Sequence, residues 1–158
     1  QEFADARVEL EFTVPENSNA GVYLQGRYEI QIFDSYSVES PKHSDLGGLY
    51  QRWDEKRNPK GHEGVAPRVN AAKPPGQWQT IEIIFRAPRF DSGGRKTQNA
   101  RFVSVKVNGQ TVHDDQQVTG PTRAAQYSDE QPIGPVTIQG DHGPIAIRRF
   151  AVTPLELE

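Results

Sequence analysis

ARFVSVKVNGQTVHD, residues 100–114, decides the fold. Asn108 and Gly109 both accept the positive φ that a two-residue hairpin turn requires. On either side, apolar and polar residues alternate with the period of two that marks a half-buried strand. Strands near 101–107 and 110–114 are therefore expected to pair. The same alternation occurs in RVELEFTV (7–14), where Val8, Leu10, Phe12 and Val14 oppose Arg7, Glu9, Glu11 and Thr13. It returns in TIEIIFR (80–86), GPVTIQG (134–140) and PIAIRRFAV (144–152). Between Pro88 and Asn99, Asp91, Gly93 and Gly94 read as a longer hairpin loop. PENSNAG (15–21) reads as a loop for the same reason. No amphipathic helix and no internal repeat is evident. About eight to ten short strands with no helix to cover a sheet leave a sandwich or a barrel. The expectation is an all-β, two-sheet antiparallel jelly-roll sandwich spanning residues 1–158 as a single domain.

Composition agrees. The 158 residues hold 14 Gly and 12 Pro against 34% hydrophobic residues, a balance that suits short strands and turns. A net charge of −3 with interspersed signs lacks the basic footprint of a nucleic-acid binder. Without cysteine there is no disulfide framework, thiol nucleophile or thiolate metal site. No apolar run approaches the roughly 18 residues of a membrane span, and no basic-then-apolar segment opens the chain.

GVYLQGRYEIQIFDS (21–35) carries the functional question. Read as two strands joined at Gly26, it places Tyr28, Ile30 and Ile32 on one face and Glu29 and Gln31 on the other. Tyr23, Gln25 and Arg27 continue the polar set, unless a bulge at Gly26 shifts the register and removes Tyr23 and Gln25 from it. From about 35 to 78 the chain is irregular, with GGLYQRW the one piece capable of a brief strand. A loop region of that length inside a compact domain suits the wall of a site; disorder is the alternative.

NSNAGVYLQGRYEIQIFDSY, GGLY, PPGQWQTIEIIFRAPRF, ARFVSVKVNGQTVHD, GPTRAA and GPVTIQGDHGPIAIRRFAV, taken in this order, resemble the 3-keto-disaccharide hydrolase domain family, whose fold is a concanavalin A-like jelly roll. The resemblance implies a secreted or periplasmic setting and a glycoside or oligosaccharide as partner. It departs at the front, where members usually carry a further stretch with a Trp and at least one strand. An open sheet edge, covered by other domains or subunits, is the expected consequence.

The substrate class implied is a glycoside oxidised to a ketone at C3. The ketone acidifies the hydrogen on C2, so that a base can remove it, the aglycone on C1 can leave by β-elimination, and water can add to the enone. The paired carboxylates of ordinary glycosidases are then unnecessary. A base, an acid and an enolate stabiliser are needed. Glu29 is the first candidate base; a solvated carboxylate paired with Arg27 is the alternative. His142 in GDHG is the second catalytic candidate, either exchanging protons or serving as a structural hydrogen-bonder, with Asp141 beside it. Asp34 can be base, metal ligand or turn former.

Arg27, Arg148 or Arg149 can polarise the ketone or bind hydroxyls, and Tyr23, Gln25, Gln31 and Gln139 offer hydrogen bonds. Tyr50, Trp53 and Trp78 offer flat surfaces, with Trp53 as a rim residue and Trp78 closer to core. His43 and His62 read as loop histidines and His113 as strand surface. The loops hold oxygen ligands that admit a divalent cation such as Ca²⁺, yet neither DxDxDG nor HExxH occurs. The alternative function is a non-catalytic carbohydrate-binding module of a larger protein. A third is a structural or adhesion domain pairing through its open edge.

Overall fold

The computed structural model describes all 158 residues and contains no helix, so none is long and apolar enough to cross a membrane. The strands are β1 (Glu2–Phe3), β2 (Ala6–Thr13), β3 (Asn19–Leu24), β4 (Tyr28–Phe33), β5 (Arg52–Trp53), β6 (Gly61–His62) and β7 (Gln79–Arg86). They continue with β8 (Arg89–Phe90), β9 (Lys96–Gln98), β10 (Ala100–Val107), β11 (Gln110–Val118), β12 (Gly134–Pro135), β13 (Thr137–Gln139) and β14 (Ala146–Pro154). A larger antiparallel sheet runs in the order β11-β10-β7-β2-β14 and a smaller one in the order β13-β3-β4. Leu49 bridges Ile30 on one side and Val65 on the other, which widens the smaller sheet beyond β4.

The inward faces of both sheets meet in one cluster of 23 buried residues, so a single core holds the jelly-roll sandwich together. Val8, Leu10 and Phe12 of β2 and Ile81, Ile83 and Phe85 of β7 face Val22, Leu24, Tyr28, Ile30 and Ile32 of the smaller sheet. Tyr28, Phe85 and Phe102 stack in series at 5.5 and 5.4 Å, and truncating either Phe to Ala costs about 3–5 kcal/mol by the usual cavity penalty. The Tyr28 hydroxyl escapes burial without a partner by donating to Glu130 at 2.7 Å.

The Asn108–Gly109 turn forms as its residues demand, at φ 50° and 80°. Alternation in β10 is not perfectly regular: a bulge between Phe102 and Ser104 lets both Phe102 and Val105 face inward. The irregular region after β4 contains only β5, β6 and the bridges, yet Leu46, Leu49 and Ala71 from it enter the core and fix it. His113 is buried rather than on the strand surface, with Nε2 2.7 Å from the Gly47 carbonyl, and so ties this region to β11.

The two edges of the larger sheet differ. β11 carries Asp114 and Asp115, the latter at φ 57°, which blunts the edge with charge and a local kink. On β14, Ile147 and Phe150 lie opposite Phe12 and Leu10 and so share the core-side face, yet both are exposed.

Candidate active site

β3 and β4 form a hairpin whose turn is Gln25–Gly26, both at positive φ, closed by the Arg27 N–H donating to the Leu24 carbonyl at 3.0 Å. Tyr23 then lies opposite Glu29 and Gly21 opposite Gln31, while β13 sets Gln139 beside Gly21. Directly paired residues share a face. The outer face of the smaller sheet therefore gathers Tyr23, Glu29, Gln31 and Gln139.

Three irregular segments wall this face. Tyr50 arrives by the backbone bond from its N–H to the Glu29 carbonyl, and the His43 ring meets it edge-on at 5.5 Å. Arg123 and Ala124 arrive from the 119–128 loop, pinned because Thr122 Oγ1 accepts from the Glu29 N–H and donates to the Arg27 carbonyl. His142 arrives from the bend after β13. The result is a depression of about 260 Å³ lined by Asn19, Tyr23, Glu29, Gln31, Tyr50, Arg123, Ala124, Gln139 and His142.

Glu29 is 3% exposed, and no Lys or Arg neutralises it. Burial pushes its carboxyl up to about 7, against smaller opposing effects of the Tyr23 hydroxyl and the His142 charge. Burial, reinforced by Glu29, likewise raises the Tyr23 phenol. The carboxylate lies over Gly21: a Cβ there would sit 2.2 Å from Glu29 Oε1. Gly21 is therefore a strand residue chosen for close approach, not the turn former its sequence context suggests.

His142 Nδ1 lies 2.7 Å from Asp141 Oδ1, an arrangement that fixes the ring and leaves Nε2 free. Side chains of neighbours point apart in a strand; these two meet because they stand in a bend. The bond to His142 holds the Asp141 carboxyl below the usual range. Gln31 donates to Asn19 at 2.9 Å, while Gln139 Oε1 is buried without a partner. A buried carboxyl, an imidazole–carboxylate pair, a guanidinium and an unspent acceptor thus surround one small space. No three His, Asp or Glu side chains converge as a metal-ligand group.

The profile of the 3-keto-alpha-glucoside-1,2-lyase-like domain matches residues 1–153. The chain belongs to that family. Membership places it among carbohydrate-active domains. Three crystal structures from Parabacteroides distasonis, each provisionally described as a glycosyl hydrolase, are similar to it. One is 26% identical with a TM-score of 0.78 over 98% of this chain. The others are 17% and 12% identical, each with a TM-score of 0.64, and show the shared fold. The chain spans 66%, 80% and 72% of those three proteins, respectively. No curated protein matches.

In this 3-keto-glucoside-lyase-like domain, Glu29, His142, Tyr23, Gln31, Tyr50 and Gln139 come together. The other expected site residues do not, Arg149 among them, since it lies on β14 of the larger sheet and lines a separate depression with Glu9 and Glu11. Gln25 belongs to the turn and donates to the Phe3 and Pro132 carbonyls. Arg27 is buried in bonds to the Asp129 carbonyl and carboxylate and to the Gln25 carbonyl, so it neither pairs with Glu29 nor reaches the depression. Asp34 lies just past β4 and ties the chain to the 15–18 loop. Its carboxylate accepts from the Asn17 N–H at 3.1 Å and its own N–H donates to the Ser18 carbonyl, so it is a cross-link and not the former of its own turn. Arg148 extends from β14 on the other sheet, bonded to Glu11 and stacked on Trp78 at 4.4 Å. Trp53 lines a neighbouring groove instead. Arg123, Asn19 and Ala124 escaped sequence reasoning. For Arg123 the one signal was the GPTRAA run, which lacks any periodicity to say where its side chains go.

Proposed function

We propose that this domain cleaves 3-keto-glycosides by removing the C2 proton, eliminating the aglycone from C1 and hydrating the enone. The observation that carries this reading is the buried carboxylate of Glu29. Its value of about 7 suits a base that must be ionised yet proton-hungry near neutrality. A binding module would use such a carboxylate to accept sugar hydroxyls, a task for which a value raised to near neutrality brings no advantage.

Glu29 takes the proton from C2, and the electron pair forms the enolate with its charge on the C3 oxygen. Arg123, the cation lining the depression beside Glu29, suits that oxygen. Collapse of the enolate breaks the C1–O bond, and His142, oriented by its contact with Asp141, gives the departing oxygen its proton. The product is an enone between C1, C2 and the C3 ketone. Water then adds hydroxide to C1 and a proton to C2, which makes the sum a hydrolysis. Tyr23, Gln31, Gln139 and Tyr50 would orient the sugar.

The test is a time course with a nitrophenyl 3-keto-glucoside beside the unoxidised glucoside, with and without chelator. Release from the keto substrate alone is expected. Equal release from both would indicate ordinary glycosidase chemistry, and release from neither by folded protein would favour a carbohydrate-binding module. Loss of turnover on chelation would add a divalent cation to the site.

A further inference from the structure

Ala124 is the shared lining residue of three adjoining depressions, and it is held at φ 60°, a conformation costly for any residue with a side chain. One depression is the Glu29 site. A second, of about 260 Å³, continues past His142 and Asp141. The third, of about 330 Å³, lies on the Arg123 side and is lined by Trp53 and Tyr127. Both rings are 38% exposed, and each is held from one side by a cation: Arg123 over Trp53 at 4.0 Å and Arg27 over Tyr127 at 4.6 Å. Exposed aromatic faces braced in this way are built platforms, because the bracing fixes ring orientation before any ligand arrives. The Glu29 depression alone is smaller than the roughly 300–1,000 Å³ of ligand sites, whereas joined to the groove it falls inside that range.

The row has a direction. If His142 protonates the departing oxygen, C1 of the reacting sugar faces His142 and the leaving group lies in the depression beyond it. The opposite end of the ring, C4 to C6, then faces Arg123. We infer that the Trp53–Tyr127 groove is a second binding subsite, which takes a ring carried on the C4–C6 end of the oxidised sugar. This rests on the reaction proposed above, since the assignment of His142 sets the direction. The substrate class becomes a 3-keto-glycoside extended at both ends, an oligosaccharide or a glycoside with a ring substituent there. The cationic lining, Arg52 and Arg123, suits a neutral or anionic extension.

Two nitrophenyl substrates test it with the leaving group held constant: one an unextended 3-keto-glucoside, the other bearing a further glucose on O4 or O6 of the oxidised ring. The ratio of kcat/KM for extended over unextended substrate is expected to fall about tenfold in Trp53→Ala, the scale of one lost ring contact. Trp53→Phe, which keeps a ring, should hold the ratio within about threefold. An unchanged ratio in Trp53→Ala overturns the subsite. A Trp53→Ala effect that instead tracks the leaving group, in a series of aryl and sugar aglycones, overturns its direction. If wild type turns over neither substrate, binding of the two unoxidised glucosides decides. Preference for the extended one that Trp53→Ala abolishes supports the subsite while the reaction falls, and no preference overturns the subsite as well.

Discussion

Asp5 and Glu29 are carboxylates of nearly equal burial, 4% and 3% exposed, with opposite fates. Burial pushes the Asp5 carboxyl up as it does that of Glu29. Asp5, however, accepts both guanidinium nitrogens of Arg89 at 2.8 and 2.7 Å, the Ala87 N–H at 2.8 Å and the Leu157 N–H at 2.9 Å. These bonds and the Arg89 charge outweigh desolvation and hold Asp5 below the usual range. It fastens the start of β2 to the β7–β8 corner and to the chain's last residues. Glu29 has no such cation, so desolvation wins and its carboxyl stays near 7. Burial alone therefore does not distinguish structure from function. The number of donors around the buried group does: a saturated carboxylate is a fastener, and an unsaturated one stores chemistry.

Breaking the unsaturated member should strike chemistry hardest. Glu29→Gln is expected to lower kcat on the keto substrate about a thousandfold while the protein still binds ligand, as initial rates and a binding titration will show. In wild type, kcat/KM should rise with pH through about 7 as Glu29 loses its proton. Asp5→Asn should cost about 3 kcal/mol of unfolding free energy in urea, because Arg89 loses its charged partner, with little change in rate per folded molecule. A large loss of specific rate there would erase the contrast.

Gly21→Ala sharpens it. The added methyl must displace the Glu29 carboxyl, and a shift of about 1 Å is expected to cost roughly a hundredfold in kcat with the fold retained by circular dichroism.

The contrast also has a pH signature. Glu29 in the folded chain keeps a proton that the unfolded chain has lost between the usual carboxylate value and about 7. Its contribution to stability is thus full below that window, falls as pH rises through it, and stays low above. Between pH 5 and 8, wild type should lose on the order of 2 kcal/mol relative to Glu29→Gln in parallel urea titrations. The contribution of Asp5, whose folded value is depressed, is constant across that range and is lost only in acid as pH falls through the depressed value. Asp141→Asn should have the smallest effect, about fivefold in kcat and larger for poorer leaving groups, since it only steadies His142.

Period two and the Asn108–Gly109 turn were enough to place β2, β7, β10 and β11, because each of these strands puts residues into the core and leaves others outside. β14 was placed by the same alternation, although Ile147 and Phe150 on its core-side face stay exposed. The same logic joined Tyr23, Glu29 and Gln31 on one face. It failed at Gln25 and Arg27, whose polarity extends the pattern into what is a turn, and at Arg148, whose strand pairs into the other sheet. Neither error was avoidable from alternation, which reports faces but not which sheet a strand joins. Arg123 and His142 sit in irregular segments that depend on tertiary anchors: for the Arg123 loop, Thr122 against β4. His142 was legible only through the chemistry of its side chain. The unpaired state of Glu29 was invisible, because Arg27, two residues away in sequence, is committed to Asp129.

The missing side chain at Gly21 has a use outside this molecule. Wherever the same hairpin recurs, a residue other than glycine at that position pushes the glutamate side chain out of the space the Glu29 carboxyl occupies here, so the two positions constrain each other. One small position can thus report, before any substrate is made, whether a domain of this architecture keeps its glutamate in the place that the proposed proton abstraction needs.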